Sequence, residues 1–473
     1  MTRKKILFYN LDGAGVNYYR TLTPATQLER DHSDKFDVEI NPEVNFNDPN
    51  VLQYLKKFDI IHYHRFMVSS VPNMLRLAND LKKEGVTLIV DIDDYWHLDP
   101  THPMYHIYND KKTSNDIVDN LKIADYVTTT TDVFASEIRK VTKKDNVFVL
   151  PNAVNPEWMK QFKDDRKPDP DGLVRITYMA GSSHMNDLQQ MIGVTNMLNA
   201  NQDTKGKFKM IIAGWDTEGT TNDVTFNQEF GQELQKRNLW TPQMIKSINK
   251  SKGNVDLIEK LPQALRDKYR GNVFFIKNRS INSSESIYLA YEKILTNNYA
   301  IITDEEYKKW LTNYERNKYV NEGVFARRWT QKANIYAEVL NETDISIAPL
   351  ADNMFNRMKS NLKQVECWSR RIPIVCTDIP PYNVDGVDDE NCLLIPWAKN
   401  NLRNKRIDQD WAKALRRLIL SKELRERIGN GLYETFKEKY NLKNVTDKRA
   451  ELYMSVAKQR YNVVEQVPTT VIV

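Results

Sequence analysis

Residues 344–382 read DISIAPLADNMFNRMKSNLKQVECWSRRIPIVCTDIPPY, and this stretch decides the fold of the chain. Apolar segments at 345–350 and 372–376 predict two strands, and the segment at 360–370 between them has the length and apolar spacing of a helix. Two strands joined by a helical crossover run parallel in one sheet. The stretch therefore predicts a βαβ unit and an α/β protein.

The loop that leads into this predicted helix is suited to bind an anion. It carries Asn356, Lys359, Ser360 and Asn361. Free backbone N–H groups and the macrodipole at a helix N-terminus favour a phosphate group. Glu366 lies two turns into the helix, where its carboxylate could accept hydrogen bonds from a pair of ribose hydroxyls. A capped helix with solvated charges would contain the same residues, so the stretch alone leaves both interpretations open.

The bulk composition indicates a globular protein of two or three domains. The chain has 473 residues, which is more than one hydrophobic core holds. Apolar residues make up 41% and charged residues 28% of the chain, which excludes a disordered protein. The net charge of +5 is compatible with an anionic substrate, a membrane surface or nucleic acid, and it decides among none of them.

The sequence shows neither a membrane-spanning segment nor a disulfide framework. No apolar run approaches the ~18 residues that span a bilayer, and the apolar run after the basic N-terminus is too short for a signal peptide. Cys367, Cys376 and Cys392 lack CxxC spacing, which argues against a disulfide scaffold and a zinc site. We therefore expect a cytoplasmic protein, in the host cytoplasm if the gene belongs to a phage.

Glycine-bearing loops follow two of the predicted strands. The first strand, at 5–10, leads into a loop that carries Gly13, Gly15 and Arg20. Glycines let the backbone approach a ligand closely, and Arg20 could meet a phosphate or an acceptor anion. A later strand, at 175–180, leads into Gly181, Ser182 and His184. A tight strand-to-helix turn also needs glycine, so this motif is weak by itself.

Histidines and acidic residues follow two further predicted strands. The strand at 59–64 ends in His62 and His64, and the strand at 87–92 runs into Asp91, Asp93 and Asp94. Polar groups enter a cleft at strand ends, so we favour a functional role for the acidic residues over helix capping. Asp91 and Asp93 also match the DxD pattern of metal-dependent transferases, but acidic pairs of this spacing are common. No group of residues has convincing ligand spacing, so no metal site is predicted.

The opening stretch resembles the nucleotide-sugar site of retaining GT-B glycosyltransferases, particularly those of glycosyltransferase family four. The resemblance lies in the strand that ends in APL, the KSNLKQVE segment and the RRIPIVCTDIPPY segment. In that family a glutamate at the Glu366 position binds the ribose, and the loop before it faces the diphosphate and the sugar. Many members carry a second glutamate eight residues earlier, where this chain has Met358. Residues 151–155 and 181–187 resemble the turn that closes the family's first domain and its second-domain phosphate loop.

The resemblance implies a GT-B α/β fold, in which two Rossmann-like, doubly wound domains face a cleft. The expected parts are an acceptor-side domain at 1–160, a linker at 161–172, a nucleotide-sugar domain at 173–442 with a helical insertion at about 216–330, and a C-terminal helix within 443–473 that crosses back onto the first domain. The linker segment is charged and carries prolines, as a linker should. Arg327, Arg328 and Trp329 close the insertion, near where family members hold the nucleotide base.

The motifs and the resemblance together assign two groups of site residues. The expected catalytic residues are His64, Asp93, Asp94 and Lys359. The expected substrate-binding residues are Gly13, Gly15, Arg20, Gly181, Ser182, His184, Asn356, Ser360, Asn361, Lys363 and Glu366. Lys359 and the loops around Ser360 and Gly181 would meet the charge of the leaving diphosphate.

The expected activity is sugar transfer with retention, from a UDP- or GDP-sugar and without a metal or other cofactor. The acceptor is open, because the family acts mostly on cell-surface glycans or lipid-linked sugars. DNA with a hydroxymethylated base is an alternative acceptor, since a chain rich in asparagine and lysine with a large insertion suits a phage enzyme. A non-catalytic nucleotide- or sugar-binding protein, or a GT-B phosphorylase or epimerase, is the alternative of a different class. The sequence leaves the oligomeric state open.

Overall fold

A computed structural model describes residues 2–10, 14–100, 102, 105, 108, 112–166, 171–181, 184, 186–215, 222–226, 232, 236, 263, 274–278, 291–292, 294–296, 324–329, 331–397 and 407–457. Two parallel six-stranded sheets organise these residues. One sheet is built from strands before residue 150 and the other from strands after residue 173. The α/β class predicted from the sequence is therefore confirmed.

Hydrophobic cores cover both faces of the first sheet, and its strands are accordingly apolar. They are β1 (Lys4–Tyr9), β2 (Phe36–Ile40), β3 (Ile60–His64), β4 (Thr87–Asp91), β5 (Tyr126–Thr129) and β6 (Val147–Val149). They pair in the order β2-β1-β3-β4-β5-β6. The accompanying helices are α1 (Ala14–Asn17), α2 (Thr23–His32), α3 (Val51–Leu55), α4 (Val71–Lys83), α5 (Thr113–Ile123) and α6 (Asp132–Thr142), and a π-helical turn at Tyr18–Leu22 joins α1 to α2.

The second half of the chain repeats this architecture. Its strands are β7 (Val174–Met179), β8 (Phe208–Trp215), β9 (Asn222–Phe226), β10 (Phe274–Asn278), β11 (Phe325–Trp329), β12 (Ile345–Ala348), β13 (Ile374–Asp378) and β14 (Leu393–Pro396). The second sheet has the order β11-β8-β7-β12-β13-β14. Its helices are α7 (Val194–Ala200), α8 (Met354–Arg357), α9 (Leu362–Trp368), α10 (Tyr382–Asp385), α11 (Ile407–Leu420) and α12 (Lys422–Lys439), with 3₁₀ turns at Lys160–Phe162, Asp187–Met191 and Tyr336–Glu342.

The βαβ unit predicted from residues 344–382 is confirmed. Strands β12 and β13 are parallel neighbours, with Ser346 opposite Ile374. Helix α9 connects them and buries Val365, Glu366 and Trp368. The burial of a glutamate on this face is unusual for a crossover helix, because a buried carboxylate must have partners.

Most of the predicted insertion at 216–330 lies outside the described residues, including most of its expected helices. Strands β9 and β10 within it form an antiparallel pair. Strand β11, at the end of the same segment, pairs in parallel with β8 and is an edge of the second sheet. Tyr291 and Leu295 in the same segment are buried in the core of the second half.

The final helix, α13 (Leu442–Val456), crosses back onto the first half of the chain, as predicted. Its Tyr453 is buried among Ile6, Phe8 and Phe36. The crossing begins at a pair of backbone hydrogen bonds, from Leu442 N to Val154 O at 3.0 Å and from Val154 N to Tyr440 O at 3.2 Å.

Two further expectations concern the cysteines and the membrane. All three cysteines are buried and form no disulfide. Burial raises the pKa of the Cys367 thiol to about 12 and so keeps it protonated. Within the described ranges, no helix combines the length and the apolarity that crossing a bilayer requires.

Candidate active site between the two sheets

A cavity of about 390 Å³ lies where the carboxyl ends of strands from both sheets meet, and its volume falls within the usual range for ligand sites. From the first half of the chain it is lined by Gly15, Val16, Tyr19, Asp93, Asp94 and Asn152. From the second half it is lined by Ala180, Gly181, His184, Gly214, Gln331, Ala333, Tyr336, Leu350, Lys359, Ser360, Leu362, Lys363, Glu366 and Tyr382.

Glu366 anchors a buried hydrogen-bond network at this cavity. Its Oε2 accepts a 2.8 Å hydrogen bond from Lys363 Nζ, one turn earlier on α9. Its Oε1 accepts a 2.9 Å bond from the hydroxyl of Tyr19, which belongs to the first half of the chain. Lys363 Nζ also donates to Tyr336 Oη at 2.5 Å. The carboxylate is thus held in one orientation by donors from both halves of the chain.

The charges in this network follow from its burial. Burial disfavours the charged form of Lys363, but Glu366 and Tyr336 outweigh that effect and raise the pKa of the ammonium group. Burial and the Glu366 carboxylate raise the pKa of Tyr19 well above its ordinary value. Both groups therefore remain protonated at neutral pH and donate to Glu366.

Lys359 brings a second positive charge to the cavity. Its ammonium group lies 4.5 Å from the centre of the Phe355 ring, in cation–π geometry. Its Nζ lies 3.8 Å from Asp94 Oδ1, across the cavity on the first half of the chain. At this separation the Lys359 ammonium has no direct hydrogen bond to Asp94, so a ligand anion can reach it.

Asp187 holds two of the predicted binding residues in place. His184 Nδ1 bonds to Asp187 Oδ2 at 2.7 Å, and Asn356 Nδ2 donates to Asp187 Oδ1 at 2.8 Å. Burial and the nearby charge of Lys359 lower the pKa of His184, although Asp187 opposes the shift, so a neutral imidazole faces the cavity. Asn356 is buried and does not line the cavity, because its amide is used to position Asp187 and the Ala351 carbonyl.

Asp93 presents a carboxylate from the end of β4. His64 Nε2 donates to its Oδ1 at 3.0 Å, and Arg65 Nη2 lies 3.5 Å from the same oxygen. Burial disfavours the carboxylate, but the His64 hydrogen bond and the charges of His64 and Arg65 outweigh it and lower the pKa of Asp93 to about 2. His64 does not line the cavity, so it positions Asp93 from behind.

The expectation that Arg20 meets a ligand anion is wrong, because its side chain is fully engaged in the core. Its Nε and Nη2 donate to both carboxylate oxygens of Asp91 at 2.9 and 2.6 Å. Its Nη1 donates to Leu150 O at 2.7 Å and to Asn152 Oδ1 at 3.0 Å. Asn152 lines the cavity and donates to Ser360 Oγ at 3.0 Å. Arg20 therefore acts on the site through Asn152.

Glycine is needed at one point of the cavity wall in particular. Gly214, at the end of β8, has a φ of +118°, and a Cβ there would lie 2.4 Å from the Ala180 carbonyl oxygen. Only glycine fits this close approach. Gly15 and Gly181 also line the cavity, whereas Gly13 and Ser182 lie outside the described residues.

Like Asn356, Met358 and Asn361 of the 344–382 stretch lie away from the cavity. Asn361 is buried on the other side of its loop, although its neighbours Ser360 and Leu362 line the site. Met358, at the position where the resemblance to glycosyltransferase family four would place a second glutamate, is buried in the core of the first half of the chain with Phe355. The second half thus inserts apolar side chains into the first half beside the cavity.

Sequence reasoning missed five of the polar lining residues, namely Tyr19, Asn152, Gln331, Tyr336 and Tyr382. Tyr19 lies in the glycine-bearing loop but carries no motif signal of its own. Arg328, expected near the nucleotide base, instead pairs with Glu342 at 2.5 Å and does not line the cavity. The segment just after it does, through Gln331, Ala333 and Tyr336.

No protein-family model matches this sequence, and none of the curated proteins matches it. Solved structures do match the fold. HepE from Anabaena, solved with UDP-glucose, aligns with a TM-score of 0.54 at 10% identity, over 96% of this chain and 100% of HepE. A glycosyltransferase from Rickettsia africae aligns with a TM-score of 0.53 at 12% identity, over 97% of this chain and 100% of that one.

Sucrose-phosphate synthase from Thermosynechococcus elongatus aligns with a TM-score of 0.51 at 11% identity, over 96% of this chain and 99% of that one. At such identities the likeness establishes the fold. The alignments span nearly the whole chain and include both sheets, so the GT-B fold expected from the sequence is confirmed.

Proposed function

We propose that this chain is a glycosyltransferase that moves a sugar from a nucleotide-sugar donor to an acceptor hydroxyl, with retention and without a metal ion. The observation that carries the proposal is an interdomain cavity in which Glu366 and Lys359, from the second half, face Asp93 from the first. A fixed carboxylate suits ribose hydroxyls, and an available ammonium group suits a diphosphate.

The donor nucleotide is bound on the side of the second sheet in this proposal. Glu366 accepts hydrogen bonds from the ribose, and Lys359 contacts the diphosphate. Positive charge at the diphosphate counts most as the bond to the sugar breaks, because negative charge then grows on the leaving group. HepE, which shares the fold, forms a complex with UDP-glucose, and this supports a UDP-sugar as the first donor to test, with a GDP-sugar as the second.

The transferred sugar lies towards Asp93 and Asp94 in this proposal. Positive charge develops at the anomeric carbon as its bond to the phosphate oxygen breaks, and the Asp93 carboxylate, with its pKa of about 2, is ionised to stabilise it. The acceptor oxygen then bonds to the anomeric carbon on the face that the diphosphate leaves, as retention requires, and its proton passes to the leaving diphosphate oxygen. His64 is a positioning residue that holds Asp93.

Metal independence is supported by the different positions of Asp91 and Asp93, because only one of the two carboxylates lies at the cavity. Asp91 is buried against Arg20 and Thr128, so only Asp93 of the pair reaches the cavity. Lys359 supplies positive charge where a cation would otherwise neutralise the diphosphate. In the part of the chain that the structure describes, no three His, Cys, Asp or Glu side chains gather as a metal site would need.

A glycan or lipid-linked sugar is the acceptor class that we propose. A DNA backbone would need several cationic contacts. The described lining of the cavity carries two lysines, and both are assigned to the donor.

The proposal is tested by incubating the protein with UDP- and GDP-sugars and measuring release of the nucleoside diphosphate. Proton NMR of the product then gives the configuration of the new glycosidic bond. If the protein binds nucleotide-sugars but releases nucleoside diphosphate from none of them, it is a binding protein and the proposal fails.

A further inference from the structure

A series of hydrogen bonds runs from the core of the first half of the chain to the loop that precedes α9. It begins at Asp91, whose two carboxylate oxygens accept from Arg20 at 2.9 and 2.6 Å. Arg20 Nη1 donates to Asn152 Oδ1 at 3.0 Å, and Asn152 Nδ2 donates to Ser360 Oγ at 3.0 Å. The last bond crosses from the first half of the chain to the second, and both of its residues line the candidate active site.

Arg20 fixes the direction of every bond in this series. A guanidinium group has donors and no acceptor, so it must meet the oxygen of the Asn152 amide and not the nitrogen. The Asn152 amide therefore turns its Nδ2 towards Ser360, and Ser360 Oγ is the acceptor of that bond. Arg20 is held in this orientation, because it is only 2% exposed and also donates to Leu150 O.

The Ser360 hydroxyl is consequently left with its proton to donate. A hydroxyl group has one proton and two lone pairs, and Asn152 takes one of the lone pairs. Among the described residues the Ser360 hydroxyl donates to none, and its side chain lines the cavity. Accepting a bond from a series that starts at a buried cation polarises the hydroxyl and strengthens it as a donor. The series therefore presents a hydrogen-bond donor to whatever occupies the cavity.

We propose that Arg20 and Asn152 are positioning residues that turn the Ser360 proton towards a phosphate oxygen of the donor nucleotide. This inference rests on the proposed function, which sets the diphosphate beside Lys359, the residue before Ser360. The Lys359 ammonium at the same cavity makes an anionic oxygen the favoured acceptor of that proton. Because Asn152 belongs to the first half of the chain, the donor is oriented when the two halves are in contact. Contact between the halves thus supports nucleotide binding in the second half.

The test is a double-mutant cycle, measured by calorimetric titration of UDP and of GDP into the full chain. Ser360→Ala removes the proton donor and should weaken the better-bound nucleotide by roughly tenfold or more, since a charge-assisted hydrogen bond is lost. Asn152→Asp keeps the shape of the side chain but replaces the amide donor with an acceptor. Ser360 then donates to the new carboxylate and not to the nucleotide, so the loss should again be roughly tenfold. With Ser360→Ala already present, adding Asn152→Asp should change the affinity by less than about twofold.

Asn353→Asp is the matched control, because it makes the same change of charge in the segment that leads to α9. The Asn353 side chain caps α8 by accepting from Asn356 N at 2.8 Å, and it does not line the cavity. Aspartate caps a helix as well as asparagine does, so this variant should bind the nucleotide as the wild type does. Thermal melts establish that each variant is folded.

Two results would overturn this inference and leave the proposed function standing. Equal losses from Asn152→Asp with and without Ser360→Ala would assign the effect to repulsion by the new carboxylate. Wild-type affinity in a folded Ser360→Ala protein would show that the hydroxyl proton does not reach the nucleotide. Absence of both UDP and GDP binding in the wild type would instead refute the proposed function, and this inference with it.

Discussion

The Tyr19 hydroxyl donates to Glu366 Oε1 at 2.9 Å, and this bond joins the two halves of the chain at the candidate active site. Both side chains are buried, and both line the cavity. The Glu366 carboxylate is therefore set in place before any ligand arrives. Pre-positioned acceptors bind hydroxyl groups at a smaller entropic cost than mobile ones.

Replacing Tyr19 by phenylalanine should lower stability. The change deletes a hydrogen bond to a buried carboxylate, so the free energy of unfolding should fall by about 1.5–3 kcal/mol in chemical denaturation. Tyr63→Phe is the matched control, because the buried Tyr63 hydroxyl has no partner among the described residues and its loss should cost little. Equal losses in the two variants would show that the bond between Tyr19 and Glu366 contributes nothing.

Replacing Lys359 by alanine should affect turnover more than donor affinity. The ammonium group meets negative charge that grows as the sugar leaves, so kcat should fall by roughly 10²–10³-fold, as for other groups that stabilise a developing anion. The donor KM should change much less. Steady-state kinetics with the active donor measures both, and a variant with raised KM but unchanged kcat would assign Lys359 to ground-state binding alone.

Chelation should leave turnover unchanged. The positive charge at the proposed diphosphate site comes from Lys359, and Asp91 is paired with Arg20. Activity in EDTA should therefore equal activity in buffer with added magnesium or manganese. Loss of activity in EDTA, with recovery on adding either metal, would contradict the metal-free proposal. Asp93 would then be a candidate metal ligand.

The buried His62 should make stability depend on pH in the acidic range. Burial lowers its pKa from 6.5 to about 3, with Arg449 and Arg20 adding to the shift and Asp91 opposing it. The unfolded chain therefore binds one more proton than the folded chain between these values, and stability falls as the pH drops from 6.5 towards 3. The slope from this group is about 1.4 kcal/mol per pH unit.

His62→Gln removes that contribution, so its stability should decline less steeply than the wild type over the same pH range. Denaturation at a series of pH values measures both slopes. Parallel curves for the two proteins would show that His62 is not held neutral in the folded chain. Asp93 affects stability at lower pH. Its pKa falls from 3.8 to about 2 on folding, so its stabilising effect is lost only as the pH falls below 3.8.

The sequence predicted the scaffold well because its signals are local. Parallel strands buried on both faces appear as continuous apolar runs, and the crossover helix appears between two of them. Glu366, Lys363 and Lys359 lie on or just before one short helix, so one stretch of sequence brings all three to the cavity. The same holds for Asp93 and Asp94 at the end of one strand.

The errors and omissions concern partners that are distant in the chain. Arg20 follows a glycine-bearing loop as a ligand-binding arginine would, but its partner Asp91 lies 71 residues away on another strand. Tyr19 and Glu366 are separated by 347 residues, and no local pattern announces their contact. Whether a polar side chain faces the cavity or the core depends on such tertiary partners, which a single sequence does not reveal.

Binding of nucleoside diphosphate to Glu366→Ala tests the central assignment most directly. If Glu366 holds the ribose, its loss removes about 1.5–3 kcal/mol of charge-assisted hydrogen bonding and weakens UDP or GDP by roughly ten- to a hundredfold in calorimetric titration. Glu338→Ala, an exposed change in the nearby 3₁₀ turn, should bind as the wild type does. Wild-type affinity in a folded Glu366→Ala protein would contradict the site assignment and the proposed function with it.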